Sequence, residues 1–132
     1  MKKVKFYVGM VLAMVMCLSF AMITFAASNY GSLTGTVSTR KNGDSFWVDT
    51  QSNVTSNPDK AYFKVNIELQ DSDGSSLHKD EKKSARGALN FSCPFEVPHF
   101  DDVAIVYSAH SIQGGTKYDA QVVYNSTRNI IQ

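Results

Sequence analysis

From residue 33 onward, oily and polar side chains alternate with period two in one segment after another, and no stretch keeps a helical spacing of apolar positions. Period two marks strands with one buried face. In residues 33–39, Leu33, Gly35 and Val37 share one side while Thr34, Thr36 and Ser38 share the other. Asn42-Gly43 comes next, followed by Phe46-Trp47-Val48 in the run 45–49. Asn and Gly both tolerate positive φ, so this dipeptide between two alternating runs predicts a hairpin. Residues 52–60 are turn formers around Pro58 and predict a loop. The clearest alternation is 61–70, where Phe63, Val65, Ile67 and Leu69 point one way and Tyr62, Lys64, Asn66 and Glu68 the other. Alternation this clean belongs to an antiparallel sheet with one wet face.

The second half continues the pattern with more interruptions. Asp71-Ser72-Asp73-Gly74 predicts a turn, and 75–78 predicts a short returning strand through Leu77. Residues 79–87 are charged and poor in apolar side chains, and they predict an exposed loop. Leu89, Phe91, Cys93, Phe95 and Val97 then alternate with polar neighbours. Pro94 has no N–H to give to a ladder, so this strand belongs at an edge, at a bulge or with that amide facing out. Residues 103–111 carry apolar groups on both faces, Val103, Ile105 and Tyr107 on one and Ala104 and Val106 on the other. Gly114-Gly115 predicts a second hairpin into 117–125, with Tyr118, Ala120, Val122 and Tyr124 expected on a buried face. Six strands and a short seventh predict an all-β fold, a small antiparallel β-sandwich of immunoglobulin-like type. A small antiparallel barrel is the alternative. The Cys…Trp…Cys spacing of a true immunoglobulin domain is not present.

The first 27 residues follow different rules. Lys2, Lys3 and Lys5 precede an apolar run from 6 to 27 that ends in Ala26-Ala27-Ser28. A positive start, an apolar middle and a small-residue end form the secretory signal pattern, with cleavage expected between Ala26 and Ser28. A retained membrane helix is the alternative, and it too leaves residues 28–132 outside as one domain. Excluding the three leader lysines leaves 10 Lys and Arg against 12 Asp and Glu, so the 13 positive charges of the whole chain become a net −2. Nucleic acid is therefore an unexpected partner, because phosphate neutralisation by a basic face supplies most of that affinity. Cys17 goes with the leader and Cys93 remains alone, so no internal disulfide can hold the fold.

Few residues form a chemical constellation. His78, His99 and His110 are unpaired in sequence, and the cluster His99-Phe100-Asp101-Asp102 reads as a polar turn before it reads as a cation site. Asp71-Ser72-Asp73-Gly74 begins like a calcium loop but has Ser76 where that loop needs Gly and Lys82 where it needs Glu. Cys93 lies between Phe91 and Phe95, an environment for a buried structural thiol. No nucleophile elbow or phosphate loop is present, and no catalytic residue, cofactor or metal is assigned. Trp47 faces opposite to Phe46 and Val48, so either the indole or its neighbours are core. An outward Trp47, with Tyr62 from the polar side of 61–70, is the expected binding face. Asn53-Val54-Thr55, Asn90-Phe91-Ser92 and Asn125-Ser126-Thr127 match the glycosylation triplet. It matters only in a eukaryotic pathway, whereas the lysine-rich leader has a bacterial look.

The function expected from these features is a secreted, non-catalytic binding module at the bacterial cell exterior, with an extracellular protein or a cell-surface glycan as partner. Gly115-Thr116-Lys117 through Val122-Val123 to Asn125 and Thr127 resembles part of the small secreted lactococcin-type bacteriocins over fewer than 20 residues, and the preceding chain does not follow. A secreted antibacterial or toxin-like effector is the alternative from another class. Its membrane-acting members carry a cationic amphipathic face that a net charge of −2 does not favour. A small hydrolase is the third reading.

Overall fold

The computed structural model describes residues 30–131, so the leader, its cleavage point and Cys17 lie outside the described residues. Seven strands form, β1 (Thr34–Asn42), β2 (Ser45–Asn53), β3 (Tyr62–Gln70), β4 (Ser76–Lys83), β5 (Asn90–Val97), β6 (Ile105–Gln113) and β7 (Gln121–Thr127). Every pairing is antiparallel, in a three-stranded sheet of order β1-β2-β5 and a four-stranded sheet of order β4-β3-β6-β7. The two sheets face each other across the apolar sides of their strands, so the chain is an all-β sandwich. β1 and β2 are joined by the expected hairpin, displaced by one residue. Asn42 pairs with Ser45, and the turn is Gly43-Asp44 with positive φ at Gly43 alone. A left-handed residue in the first central position only is the pattern of a type II′ turn, which matches the twist of the flanking strands.

Pro94 sits at an edge, as its missing N–H requires. β5 is the outer strand of its sheet, and the Pro94 carbonyl points away from β2 to accept a hydrogen bond from Lys82 Nζ at 2.9 Å. Since N–H and C=O of one strand residue project to the same side, the absent donor is missing only from the free edge. Lys82 comes from β4, the outer strand of the other sheet, and its ammonium lies 5.1 Å from the Phe95 ring centroid. That contact corrects the sequence expectation for 79–87, since residues 79–83 extend β4 and are not loop. An edge strand needs little apolar surface, so its composition can match that of an exposed loop. Charges there, inward-pointing ones included, also deter pairing with a second molecule.

β6 shows which of its two apolar faces is core, and β7 differs from the expected facing. Val106, Ser108, His110 and Ile112 point inward on β6, which leaves Tyr107 half-buried on the outer side. On β7 the pairing of Val123 with His110 turns Val123 in and Val122 and Tyr124 out. Tyr124 is 57% exposed, so the burial expected for it fails, while Tyr118 is half-buried in the loop before the strand. Consecutive apolar residues in Val122-Val123-Tyr124 make either parity plausible from sequence, and the neighbouring strand decides.

The interior divides in two. Phe46, Val48, Val65, Ile67, Leu69, Cys93, Phe95 and Val106 belong to one cluster, and Tyr30, Leu33, Val54, Phe63, Ile112 and Val123 to the other. Between them runs a polar belt of Thr50, Ser52, Ser108 and His110, all buried. Gly35 faces the belt because a Cβ at that position would overlap the His110 ring.

Candidate functional site

Trp47 and Tyr62, the two aromatics nominated by pattern, stand on opposite outer faces of the sandwich. Phe46 and Val48 are 3% and 0% exposed, so they fill the core and Trp47 projects outward. Its cross-strand neighbours are Arg40 on β1 and Glu96 on β5. The Arg40 guanidinium lies 4.6 Å from the indole centroid and its Nε donates to Asp49 Oδ2 at 2.6 Å. Ser45 Oγ donates to Glu96 Oε2 at 2.7 Å. Farther along the face, Ser92 donates to Gln51, and the Gln51 amide donates to Asn53 at 3.2 Å. The outcome is a sheet surface with Arg40, Asp49 and Glu96 around the indole and hydroxyls and amides farther along. The Trp47 indole N–H is shielded and has no hydrogen-bond partner among the described residues.

Tyr62 opens β3 on the four-stranded sheet, half-buried under two cations. Lys83 Nζ is 5.6 Å and Arg86 Cζ 5.3 Å from its ring centroid. Arg86 also donates to the carbonyls of Gly114 at 2.5 Å and Lys60 at 3.4 Å, so one guanidinium joins three connections, 54–61, 84–89 and 114–120. Lys64 lies opposite Lys83 and 3.6 Å from Glu81. No separation along the chain announces this cluster. Reading 79–83 as a strand would have placed Lys83 beside Lys64.

Asp59 organises the same end. Its carboxylate accepts the backbone N–H groups of Thr116, Lys117 and Tyr118 at 2.9 to 3.0 Å and the Thr116 hydroxyl at 3.1 Å. Burial pushes this carboxyl up, but the N–H groups of Lys117, Tyr118 and Thr116 and the Thr116 hydroxyl outweigh it and hold the pKa at about 2. Tyr30 donates to Asp59 at 3.5 Å and meets Tyr118 edge-on at 5.6 Å. Burial, then the Asp59 charge, raises the Tyr30 phenol.

The remaining sequence candidates sit in ordinary settings. His110 Nδ1 is 2.8 Å from Ser52 Oγ and Nε2 2.8 Å from Ser108 Oγ. A neutral imidazole donates through one nitrogen and accepts through the other, and each hydroxyl can do either. Burial pushes this histidine down to about 4. His99 contacts Asp101 at 3.1 Å on the surface, whereas Asp102 accepts from Ser72 Oγ at 2.8 Å and joins the β5–β6 connection to the β3–β4 turn. Asp71 accepts the N–H groups of Asp73 and Ser75 at 2.9 Å, so its carboxylate closes a turn. Cys93 is 1% exposed, and burial pushes its thiol up. Among the described residues no three His, Cys, Asp or Glu side chains gather as a metal set. Neither a protein-family profile nor a curated protein sequence matches this chain.

Proposed function

We propose that residues 28–132 are exported behind a cleaved signal peptide and form an immunoglobulin-like sandwich. The domain binds another molecule, a surface protein or a glycan, at the bacterial cell exterior and catalyses no reaction. The observation that carries this reading is the position of Trp47. A chain with one tryptophan gains most stability by burying it, yet here the smaller Phe46 and Val48 take the core and the indole stands on a polar sheet face. A large ring held by strand neighbours loses little entropy on contact, which suits it to interfaces and to stacking on sugars. The charged groups around it and the hydroxyls and amides farther along the face match a partner rich in hydrogen-bonding groups.

The strand order supports the immunoglobulin-like assignment. The order β1-β2-β5 facing β4-β3-β6-β7 follows the A-B-E and C-F-G sheets of such domains, with the fourth strand on the edge of the second sheet. The sealed surroundings of His110 support a non-catalytic role, because no substrate atom can approach a ring that is 0% exposed.

The test uses the protein released by a bacterial host carrying the full chain, with intact bacterial cells and their isolated walls as probes. Retention on one of these probes is expected, and W47A should weaken it about 30-fold, as an interface anchor worth ~2 kcal/mol does. Equal retention of W47A and the parent protein would remove the basis of the proposal.

A further inference from the structure

The sandwich carries opposite charge at its two ends. Three connections at one end, 43–44, 71–75 and 98–104, hold Asp44, Asp71, Asp73, Asp101 and Asp102 and no Lys or Arg, and Lys41 on the adjoining end of β1 and Arg128 just after β7 offset these five acids only in part. At the other end Lys60, Arg86 and Lys117 lie in the connections, with Lys64 and Lys83 on the adjoining strand ends. Strands of nine residues at about 3.3 Å per residue put ~27 Å between the two ends. The acids of the basic end offset it only in part: Glu81 pairs with Lys64 and takes that charge out of the count, while Asp59 turns its carboxylate inward to residues 116–118. Asp119 remains as an exposed acid there.

The chain also enters the sandwich at the basic end. Tyr30 is 0% exposed and bonded to Asp59, and its carbonyl accepts the N–H groups of Thr55 and Ser56 at 3.2 and 3.0 Å. The apolar leader ends at Ala27, so only Ser28 and Asn29 separate it from this anchored residue. Until the leader is cut, so short a connection holds the basic end towards the headgroups and the acidic end away from them, and after cleavage only the charge of that end can keep it there.

The geometry points to a second interaction surface, a cationic platform formed by Lys60, Lys83, Arg86 and Lys117 that seats the domain on anionic phospholipid headgroups of the membrane it emerges from. Lys60, Lys83 and Lys117 are exposed, and Arg86 fixes the spacing of the three connections that carry the charge. The surface rests on the export reading and is independent of the Trp47 face.

The test measures co-sedimentation of the host-released protein with vesicles of phosphatidylglycerol and phosphatidylcholine against phosphatidylcholine alone. Its amino-terminal sequence, read on the same sample, reports export separately from binding. Binding to the anionic vesicles alone is expected, with loss at high salt. Each exposed lysine removed should weaken binding about fivefold, and K60A/K83A/K117A about 100-fold. The charge-preserving K60R/K83R/K117R keeps binding, which separates lost charge from lost fold, and W47A leaves it unchanged. Equal binding to neutral vesicles, or an undiminished triple-alanine variant, would overturn the proposal. So would retention on soluble polyglycerol phosphate without retention on anionic vesicles.

Discussion

At the scale of single residues, His110 and Asp59 show how one domain handles two buried titratable groups in opposite ways. His110 is kept neutral by burial among hydroxyls, with a folded value of about 4 against 6.5 in an unfolded chain. As pH falls below 6.5 the unfolded chain takes up a proton that the folded ring refuses until about 4, so stability drops across that window by about 3 kcal/mol. Denaturation midpoints measured between pH 7.5 and 4.5 should decline accordingly, and His110→Gln should flatten the part of the decline above pH 5. Asp59 is kept charged, because its amide donors favour the anion. Its contribution is present above the ordinary carboxylate range and lost as pH falls towards 2. Asp59→Asn should therefore loosen the connection it holds, seen as faster amide exchange at residues 116–118 with little change in β3. Cys93 should resist a thiol reagent in the folded protein and react once denaturant opens the core, because its environment is apolar and its thiol stays protonated.

At the scale of elements, turns and edges carry most of the information that alternation does not. Gly43 has φ of 63°, a conformation that costs an L-residue about 1 kcal/mol, so Gly43→Ala should lower the melting temperature by several degrees for a domain of this size. Pro94→Thr should be tolerated, because the restored N–H would face solvent at the free edge of β5. β3 was legible in full because one face is core and the other is wet, the condition under which period two is unambiguous. β4 was not, since Lys79, Asp80, Glu81, Lys82 and Lys83 look like a solvated connection until pairing with β3 gives them a backbone partner. β7 was legible as a strand but not in its facing, because Val122, Val123 and Tyr124 satisfy either parity. The polar belt through the core was invisible for a related reason. Ser52, Ser108 and His110 read as surface residues, and they are buried because they satisfy one another.

At the scale of the whole molecule, the sandwich separates two surfaces that sequence reasoning had joined. Trp47 and Tyr62 both qualified as outward aromatics, and alternation alone says nothing about which sheet receives a strand. β2 goes to one sheet and β3 to the other, so the indole faces a polar plain while Tyr62 lies under Lys83 and Arg86. The indole was legible as one of two options; the cationic platform was not, because its members come from three connections and one strand. Both surfaces depend on the chain crossing between sheets after β2, β4 and β5 instead of running on as one continuous meander. The most direct test is a map of cross-strand backbone proton contacts by nuclear magnetic resonance. Thr50 is expected opposite Cys93, Ile67 opposite both Asp80 and Ser108, and Ala109 opposite Tyr124. Cross-strand contacts that pair β2 with β3 in a single sheet would contradict this arrangement.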